Sequence, residues 1–436
     1  MRMDGVRGGM VYDEGKNTLL QNVLWSFLGK IVAMICLVLL DITAARMLSV
    51  ADYAEWVYFF SIQTMLFYIG WMGINTSAKV YVSKCVTMQE REQCIRAAFV
   101  LRFFSGAWIS SLFFMILPEA AEYLGYPAKY PALKSLLAVS GALVFFNSFT
   151  ELYKELCIGL KNYIRLFMIT AFEYGGYFLF SAAGLVIFRR MQTIAAGYLI
   201  SGCCVMAAGW HIFGIRVTAL WRNAGDLKAY IRPMVKYALP IAFISLGSLI
   251  LVEMDTFMLG LLCEKEEAAV YNIAKNLCAK ATHVNYALTT GTMTSLSALT
   301  AANIRKKRQE FQKINRINMV VISGISAVMF LAGTMAVSAL YGMEYRKAGV
   351  VMRFLIPYYV LYSISNFYGT FLDFREKAKF RSICFISVVV MNVTLNYLLI
   401  PVYGAKGAAV ATDLSLVPYT IAVVVCAFVE FRKMEE

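Results

Sequence analysis

The strongest constraint on this chain is a series of long apolar runs that recurs along the whole sequence. Hydrophobic residues make up 60% of the 436 residues and charged residues only 16%, whereas a soluble domain carries about 25% charged residues. One soluble core could not bury so much apolar surface, but a bilayer accepts one helix for every run of about 20 apolar residues. The pattern predicts about twelve transmembrane helices, at residues 19–45, 56–78, 98–118, 132–152, 166–188, 193–215, 237–259, 268–298, 317–340, 349–371, 382–400 and 408–430.

The polar start of the chain is not typical of a cleaved signal peptide. Residues 1–18 include Arg2, Arg7 and Lys16, and the apolar run that follows is too long for a signal-peptide core. It also lacks a clear cleavage site of small residues. We therefore expect a retained first helix that starts in the cytoplasm.

Lysine and arginine are concentrated in alternate loops, which predicts the orientation. The basic loops are 79–96, 216–236, 305–316 and 375–381, and loops rich in Lys and Arg stay in the cytoplasm. Arg189 and Arg190 are an exception in a predicted outer loop. We expect a multi-pass protein of the cytoplasmic membrane with both termini inside. The net charge of +14 then reflects topology, so membrane lipids rather than nucleic acid are the expected neighbours.

The two halves of the sequence resemble each other. Asp41 and Asp255 each precede a Val-Tyr pair at a nearly equal interval, and a Lys-x-x-x-Arg pattern occurs at 161–165 and again at 377–381. An even number of spans per half gives two halves with the same orientation. The sequence predicts an amino-terminal lobe at 1–215 (spans 1–6), a cytoplasmic linker at 216–236 and a carboxy-terminal lobe at 237–436 (spans 7–12).

Polar residues on the first helix share one face. Asn22, Ser26, Lys30 and Asp41 align at 100° per residue, and Lys30 lies about 15 Å into the helix. That depth makes snorkelling difficult, and ionisable groups inside the membrane usually mark a functional path. We interpret Lys30 as facing a cavity, with Asn22 and Ser26 beside it. A structural ion pair with a neighbouring helix is the alternative.

The eighth predicted helix carries the clearest polar stripe. Its members lie within a narrow sector, whereas Leu277, Val284 and Leu288 occupy the opposite side. A wet cavity is the favoured interpretation, and an ordinary polar helix interface is the alternative. The stripe and its two flanking cations are Asn272, Asn276, His283, Thr290, Thr294, Lys275 and Lys280.

Carboxylates within the predicted spans could couple transport to an ion or act as gates. Asp41, Glu173 and Asp255 are the candidates. Glu253 and Asp255 point to different faces of one helix, so they do not form a paired-carboxylate site. For Glu173 the sequence leaves three roles open: a salt-bridge partner, a proton carrier or a gate. Arg102 lies close to a helix end, as does Arg353, and snorkelling to the headgroups is the favoured interpretation for both.

Motifs for catalysis, metal binding and nucleotide binding are absent from the sequence. The two histidines, His211 and His283, have no metal-ligand neighbours at suitable spacing. There is no phosphate-binding Gly-rich loop and no nucleophile elbow. The ten cysteines show neither zinc nor disulfide spacing and behave as small hydrophobic residues. We expect neither an enzyme nor an ATP-driven pump, and we expect no cofactor, catalytic residue or metal.

Three segments together resemble the bacterial polysaccharide-export flippases. Residues 45–54, Ala-Arg-Met-Leu-Ser-Val-Ala-Asp-Tyr-Ala, are similar to that family's A-R-x-L-x-x-x-D-Y-G signature, with Ala54 in place of the usual Gly. Residues 255–274 are similar to its D-x-x-x-L-G … Y-x-x-A pattern. Residues 392–412 resemble its N-x-x-L-N-x-x-L-I-P-x-x-G-x-x-G-A-A-x-A-T stretch. The family belongs to the multidrug/oligosaccharidyl-lipid/polysaccharide exporter superfamily.

The resemblance implies an all-α integral membrane protein with two six-helix lobes around a central cavity. It also implies alternating access and the flipping of polyprenyl-diphosphate-linked oligosaccharides to the outer leaflet. The diphosphate would need cations, which Lys30, Lys275 and Lys280 could supply. Other polysaccharide assembly proteins are possible partners. A multidrug or cation antiporter of the same superfamily is the alternative, and a membrane-embedded sugar polymerase or transferase is a weaker one because the outer loops are short.

Overall fold

The computed structural model describes residues 19–213, 224–293, 304–374 and 377–433, and these residues form helices without any β-strand. A long apolar run in a membrane favours a helix, because only a helix satisfies every backbone hydrogen bond within one segment. The helices are α1 Leu19–Met47, α2 Val50–Trp71, α3 Ile74–Lys84, α4 Met88–Tyr123, α5 Tyr126–Lys129, α6 Leu133–Gly159, α7 Tyr163–Phe188, α8 Gln192–Ile212, α9 Ala224–Leu262, α10 Lys265–Met293, α11 Ile304–Tyr341, α12 Arg346–Phe354, α13 Ile356–Phe374, α14 Ala378–Tyr403 and α15 Ala405–Lys433.

The helices reproduce the predicted spans in order. Among the described residues, eight helices are long and apolar enough to cross a membrane, and two bent pairs bring the number to ten. The bent pairs are α2 with α3, at 42°, and the segment 343–354 with α13, at 44°. The two remaining long helices, α9 and α10, coincide with the seventh and eighth predicted spans. The predicted all-helical membrane architecture is confirmed.

The chain divides into two compact units, Met1–Ile250 and Leu251–Glu436, and the division falls inside α9. This helix begins at Ala224, well before the predicted start of the seventh span at residue 237. Residues 224–236 are therefore helical, although the sequence predicts a linker there. Neither Pro233 nor Pro240 ends the helix. The assignment of six spans to each lobe stays a prediction.

The first unit is built around α6, which packs against α2, α3, α4, α7 and α8. Aromatic side chains fill its interior: Tyr153 stacks on Phe213 with ring centroids 5.7 Å apart, and Phe99 lies 5.6 Å from Tyr153. Helix α1 packs along α7, where Trp25 and Phe167 have ring centroids 5.2 Å apart. These contacts place the Trp25 side of α1 against α7.

A break separates α2 from α3, and a buried arginine stabilises it. Met72 and Gly73 both adopt left-handed backbone conformations, with φ of 47° and 67°. Arg102 of α4 donates from Nη1 to the carbonyl oxygen of Gly70 and from Nη2 to that of Trp71, both at 2.8 Å. Its Nε and Nη2 also donate to Asn75 Oδ1, at 3.0 and 2.7 Å. The guanidinium thus binds carbonyls that the end of α2 leaves without helical partners.

The snorkelling interpretation of Arg102 is therefore wrong. The side chain is fully buried, and its charge lies at the negative end of α2, where a cation is favourable. The sequence interpretation considered only the position of Arg102 within its own helix, whereas the acceptors come from a break in another helix. Arg353, by contrast, is exposed and lies against Phe330, with its guanidinium carbon 5.1 Å from the ring centroid.

In the second unit, α14 and α15 form a tight antiparallel pair. Gly404 turns the chain with φ of 57°, and a side chain at Gly407 would collide with the carbonyl oxygen of Leu399. Glu267 of α10 accepts a hydrogen bond from the backbone N–H of Ala405, at 2.8 Å, which caps the start of α15. The G-x-x-G-A-A segment of the sequence is this turn, and it brings polar residues of α14 and α15 towards α9.

Candidate functional site

Asp255 is the centre of a buried polar cluster in the second unit. The side chain is 6% exposed. Tyr271 Oη donates to its Oδ2 at 2.6 Å, Thr412 Oγ1 donates to Oδ2 at 2.8 Å, and Asn396 Nδ2 donates to Oδ1 at 2.6 Å. Asn396 also donates to Asn392 Oδ1 at 3.1 Å. The cluster therefore brings together side chains from α9, α10, α14 and α15.

The chemistry of this cluster suits a small positive ligand. Neutral donors hold the Asp255 carboxylate, and no lysine or arginine of the described residues pairs with it. Asn396 Oδ1 is buried and has no hydrogen-bond donor among the described residues. A buried carboxylate without a counter-cation is costly in a membrane. A proton or a hard cation with oxygen ligands would offset that cost.

Glu253 lies on the same helix but belongs to a separate ion pair. Lys275 Nζ lies 3.0 Å from Glu253 Oε2 and 3.0 Å from Thr256 Oγ1. The two carboxylates of α9 thus have different partners. The ammonium of Lys275, expected to face substrate, is already compensated by Glu253 in this structure.

The first unit contains a second buried cluster, centred on Lys154 of α6. Lys154 Nζ lies 2.9 Å from Glu173 Oε2 and also pairs with Glu151 one turn earlier. Glu173 is 1% exposed, and Tyr177 Oη donates to its Oε1 at 3.1 Å. The Lys154 ammonium lies 5.5 Å from the Tyr174 ring centroid. Of the three roles left open for Glu173, the structure shows the salt-bridge partner.

Asp41 accepts a hydrogen bond in a way that parallels Asp255. Tyr53 Oη, at the start of α2, donates to Asp41 Oδ1 at 2.7 Å. In each unit, an aspartate near the end of one helix thus accepts a hydrogen bond from a tyrosine on the next helix. This parallel agrees with the sequence repeat that pairs Asp41 with Asp255.

Helix α1 carries the predicted residues Lys30, Asn22 and Ser26, but their environments differ. Lys30 is exposed and forms no ion pair with any described residue. Ser26 and Asn22 are half-buried, and Asn22 Oδ1 is buried without a hydrogen-bond donor among the described residues. At the neighbouring Gly29, an added Cβ would make an ordinary van der Waals contact of 3.8 Å with the Phe167 Cα, so α1 lies against α7 there. The described residues show no ion pair for Lys30, and its cavity-facing role stays a prediction.

The polar stripe of α10 is described in part. Asn272, Asn276 and Lys280 are half-buried on this helix. Residues 283–293 are helical, but the side chains of His283 and Thr290 lie outside the described residues, as does Thr294. The cavity-lining role of the stripe stays a prediction.

Sequence reasoning missed Lys154 and Glu151. Glu151 lies within the predicted span, which ends at residue 152, whereas α6 continues to Gly159 and includes Lys154. The signal was the Glu-x-x-Lys spacing, which puts the two side chains on one helix face. The sequence also did not reveal the role of Arg102, since its partners lie on α2 and α3. Within the described residues, no group of three His, Cys, Asp or Glu side chains could hold a metal ion.

Comparison with solved structures finds the same fold in membrane transporters. An inward-facing multidrug resistance MATE family transporter of the MOP superfamily has a TM-score of 0.75 and 11% identity, covering 95% of this chain and 99% of that one. The lipid II flippase MurJ, in an inward closed conformation, has a TM-score of 0.66 and 12% identity, covering 95% and 90%. A MOP superfamily transporter from Pyrococcus furiosus, whose binding pocket is described as of reverse polarity, has a TM-score of 0.61 and 12% identity over 100% of both chains.

At these identities the likeness establishes the fold, and the sequence itself establishes the family. No curated protein sequence matches the chain. The family model described as polysaccharide biosynthesis protein matches residues 43–349. These residues include both buried clusters, apart from the side chains that α14 and α15 contribute to the Asp255 cluster. This multi-span membrane protein therefore belongs to the polysaccharide biosynthesis protein family and has the fold of the MOP superfamily transporters.

Proposed function

We propose that the chain is a flippase that moves polyprenyl-diphosphate-linked oligosaccharide from the inner to the outer leaflet by alternating access. The observation that carries the proposal is the match of the polysaccharide biosynthesis protein family across residues 43–349. We further propose that both termini are cytoplasmic and that other polysaccharide assembly proteins act with it in the cytoplasmic membrane.

Lys30 is the best-placed cation for the diphosphate. Lys275 is compensated by Glu253 and Lys154 by two carboxylates, whereas Lys30 is exposed and has no ion pair with a described residue. A diphosphate cannot cross hydrocarbon without a compensating charge. The neutral groups proposed to bind sugar hydroxyls are Asn22, Ser26, Asn272, Asn276 and His283, with Lys280 as a second cation.

Asp255 is proposed as the group that couples transport to an ion gradient. Its four-helix setting supports this role, because taking up a proton or a cation would change the hydrogen bonds of Tyr271, Asn396 and Thr412 at once. Glu173 and Asp41 are proposed as gating groups of the first unit, since each is tied to a neighbouring helix by a hydrogen bond or ion pair.

Proteoliposomes provide the direct test. A fluorescent polyprenyl-diphosphate oligosaccharide is placed in vesicles, and transport is read as the fraction that a membrane-impermeant quencher reaches. We expect transport to rise with a proton or sodium gradient in the wild type, and Asp255→Asn to lose that dependence. Glu344→Gln is the control, because Glu344 is an exposed carboxylate of the same unit. Absence of transport under every gradient would contradict the flippase proposal.

A multidrug or cation antiporter is the second candidate, favoured by the structural likeness to MATE family transporters and by the buried carboxylates. Such a protein would bind cationic substrates, for which Lys30 would be unfavourable. Gradient-driven uptake of a cationic dye, with no movement of the lipid-linked oligosaccharide, would favour the antiporter. A membrane-embedded polymerase or transferase would instead release elongated glycan in the same vesicles.

A further inference from the structure

A row of three cations runs along the amino-terminal half of α9. Lys228, Arg232 and Lys236 recur at every fourth residue, so successive members lie about 6 Å apart on one side of the helix. All three side chains are exposed, and none forms an ion pair with a described residue. Three like charges thus share one face, without a counter-charge from the described protein.

An aliphatic surface accompanies this row of cations. Ile231, Val235 and Leu239 also recur at every fourth residue, and Leu239 is 52% exposed. Together the six side chains line a groove of about 520 Å³. A ligand that fills such a groove must carry negative charge and apolar chain side by side. A phospholipid has this chemistry, because its phosphate is joined to acyl chains.

The other side of the same helix segment is fixed to the first unit. Ser77 Oγ of α3 donates to the carbonyl oxygen of Met234 at 2.8 Å. At the break between α2 and α3, a side chain on Gly73 would collide with the carbonyl oxygen of Ala238. Leu227 and Met234 are buried in the core of this unit. The helix cannot rotate freely about its axis, so the cations are held on the side away from these contacts.

The row of cations also lies at the membrane depth where lipid headgroups are expected. Lys236 directly precedes the seventh predicted span, and the charge pattern predicts that residues 216–236 are cytoplasmic. Lysine and arginine at that boundary attract the anionic headgroups of the inner leaflet. The aliphatic side chains of Val235 and Leu239 continue towards the predicted span, where acyl chains lie.

We propose that this face of α9 binds an anionic phospholipid of the inner leaflet. Its phosphate lies against Arg232 and Lys236, and an acyl chain lies against Val235 and Leu239. The site shares no residue with the polar clusters proposed for the transport path, and the proposal does not depend on which substrate the protein moves.

Native mass spectrometry of the purified full chain tests the proposal. The protein in detergent is titrated with phosphatidylglycerol or phosphatidylcholine, and bound lipids are counted. We expect the wild type to prefer phosphatidylglycerol and the double variant Arg232→Gln/Lys236→Gln to bind it on the order of ten-fold more weakly. The matched control is Arg189→Gln/Arg190→Gln, which removes two exposed cations elsewhere in the first unit and should change the affinity less than about two-fold.

Three outcomes would overturn the proposal. Equal binding of the two lipids would remove the role of the headgroup charge, and equal losses in the two double variants would show non-specific attraction. Competition by millimolar inorganic phosphate would identify a free anion rather than a lipid as the occupant. Thermal unfolding of each variant in detergent provides the check on folding, and the exposed positions should leave the unfolding temperature unchanged.

Discussion

Arg102 shows how a charge inside a membrane protein can be structural. Its guanidinium donates four hydrogen bonds to two carbonyl oxygens and one amide oxygen, all on α2 and α3. The planar group reaches several acceptors at once, which an ammonium on a single stem cannot do. At the residue scale, the function of Arg102 is therefore to stabilise a break in a neighbouring helix.

Replacing Arg102 with Met should destabilise the protein strongly. The substitution leaves the carbonyl oxygens of Gly70 and Trp71 and the amide of Asn75 without their donor, at a cost of about 2–5 kcal/mol. Arg102→Lys should recover only part of this loss. Thermal unfolding in detergent is the measurement, with Arg353→Met as the control because Arg353 is exposed. An unchanged unfolding temperature for Arg102→Met would show that the hydrogen bonds are dispensable.

Replacing Lys30 should affect transport rather than folding. Lys30 is exposed and forms no ion pair with a described residue, so Lys30→Ala should insert normally yet transport at least about ten-fold more slowly, as expected for a lost charge-assisted contact. Lys30→Arg should keep part of the activity because the charge remains. Lys347→Ala, which also removes an exposed lysine, is the control. Normal transport by Lys30→Ala would make this lysine irrelevant to the substrate.

At the scale of single elements, the break between α2 and α3 depends on Gly73. This residue has φ of 67°, and an added Cβ would also lie 2.9 Å from Ile241 Cβ of α9. Two separate penalties follow, one from the left-handed backbone and one from the collision with α9. A glycine that has a left-handed backbone but no neighbour to collide with would separate the two penalties.

Gly125 offers that comparison, because its φ is 71° and nothing lies within 4 Å of its missing Cβ. Gly125→Ala should cost only the backbone term of about 1–2 kcal/mol. Gly73→Ala should cost clearly more, since α9 must also shift. The measurement is the unfolding temperature of the two variants in detergent. Equal shifts would mean that α9 accommodates the methyl group easily.

The stripe of α10 is predicted to face water. A lipid-facing helix would leave the polar groups of this stripe without partners. Single cysteines at positions 276, 283 and 290, in a background without native cysteines, should react with a water-soluble thiol reagent. Cysteines at 277, 284 and 288 should not react, and substrate should protect the first set. Equal reactivity in both sets would contradict the cavity interpretation.

At the scale of the whole molecule, the charge pattern of the loops predicts the topology. Cysteines introduced at Lys306 and Arg432 should be protected from an impermeant reagent added outside intact cells, whereas a cysteine at Glu266 should react. The physical reason is that loops rich in lysine and arginine remain on the cytoplasmic side. Reaction at position 306 from outside would show that the order of the spans is wrong.

The duplication of the two halves is also a property of the whole chain. Asp41 with Tyr53 and Asp255 with Tyr271 form hydrogen bonds of 2.7 and 2.6 Å in their respective units. Asp255 also accepts hydrogen bonds from side chains of α14 and α15, and a separate ion pair between Lys154 and Glu173 is buried in the first unit. We expect the two halves to be related by a parallel repeat, and an experimental structure with an inverted repeat would contradict this.

The sequence by itself determined the class of the protein, the order of its helices and the family. These properties depend on hydropathy runs, turn residues and short motifs such as residues 392–412, all of which are local along the chain. Only the tertiary structure decided which charges are compensated. Lys275 pairs with Glu253, Glu173 pairs with Lys154, and Arg102 binds the end of α2. In each case the partners lie on different helices. A helical period shows which face of a helix a residue occupies, but it does not identify the helix that packs against that face.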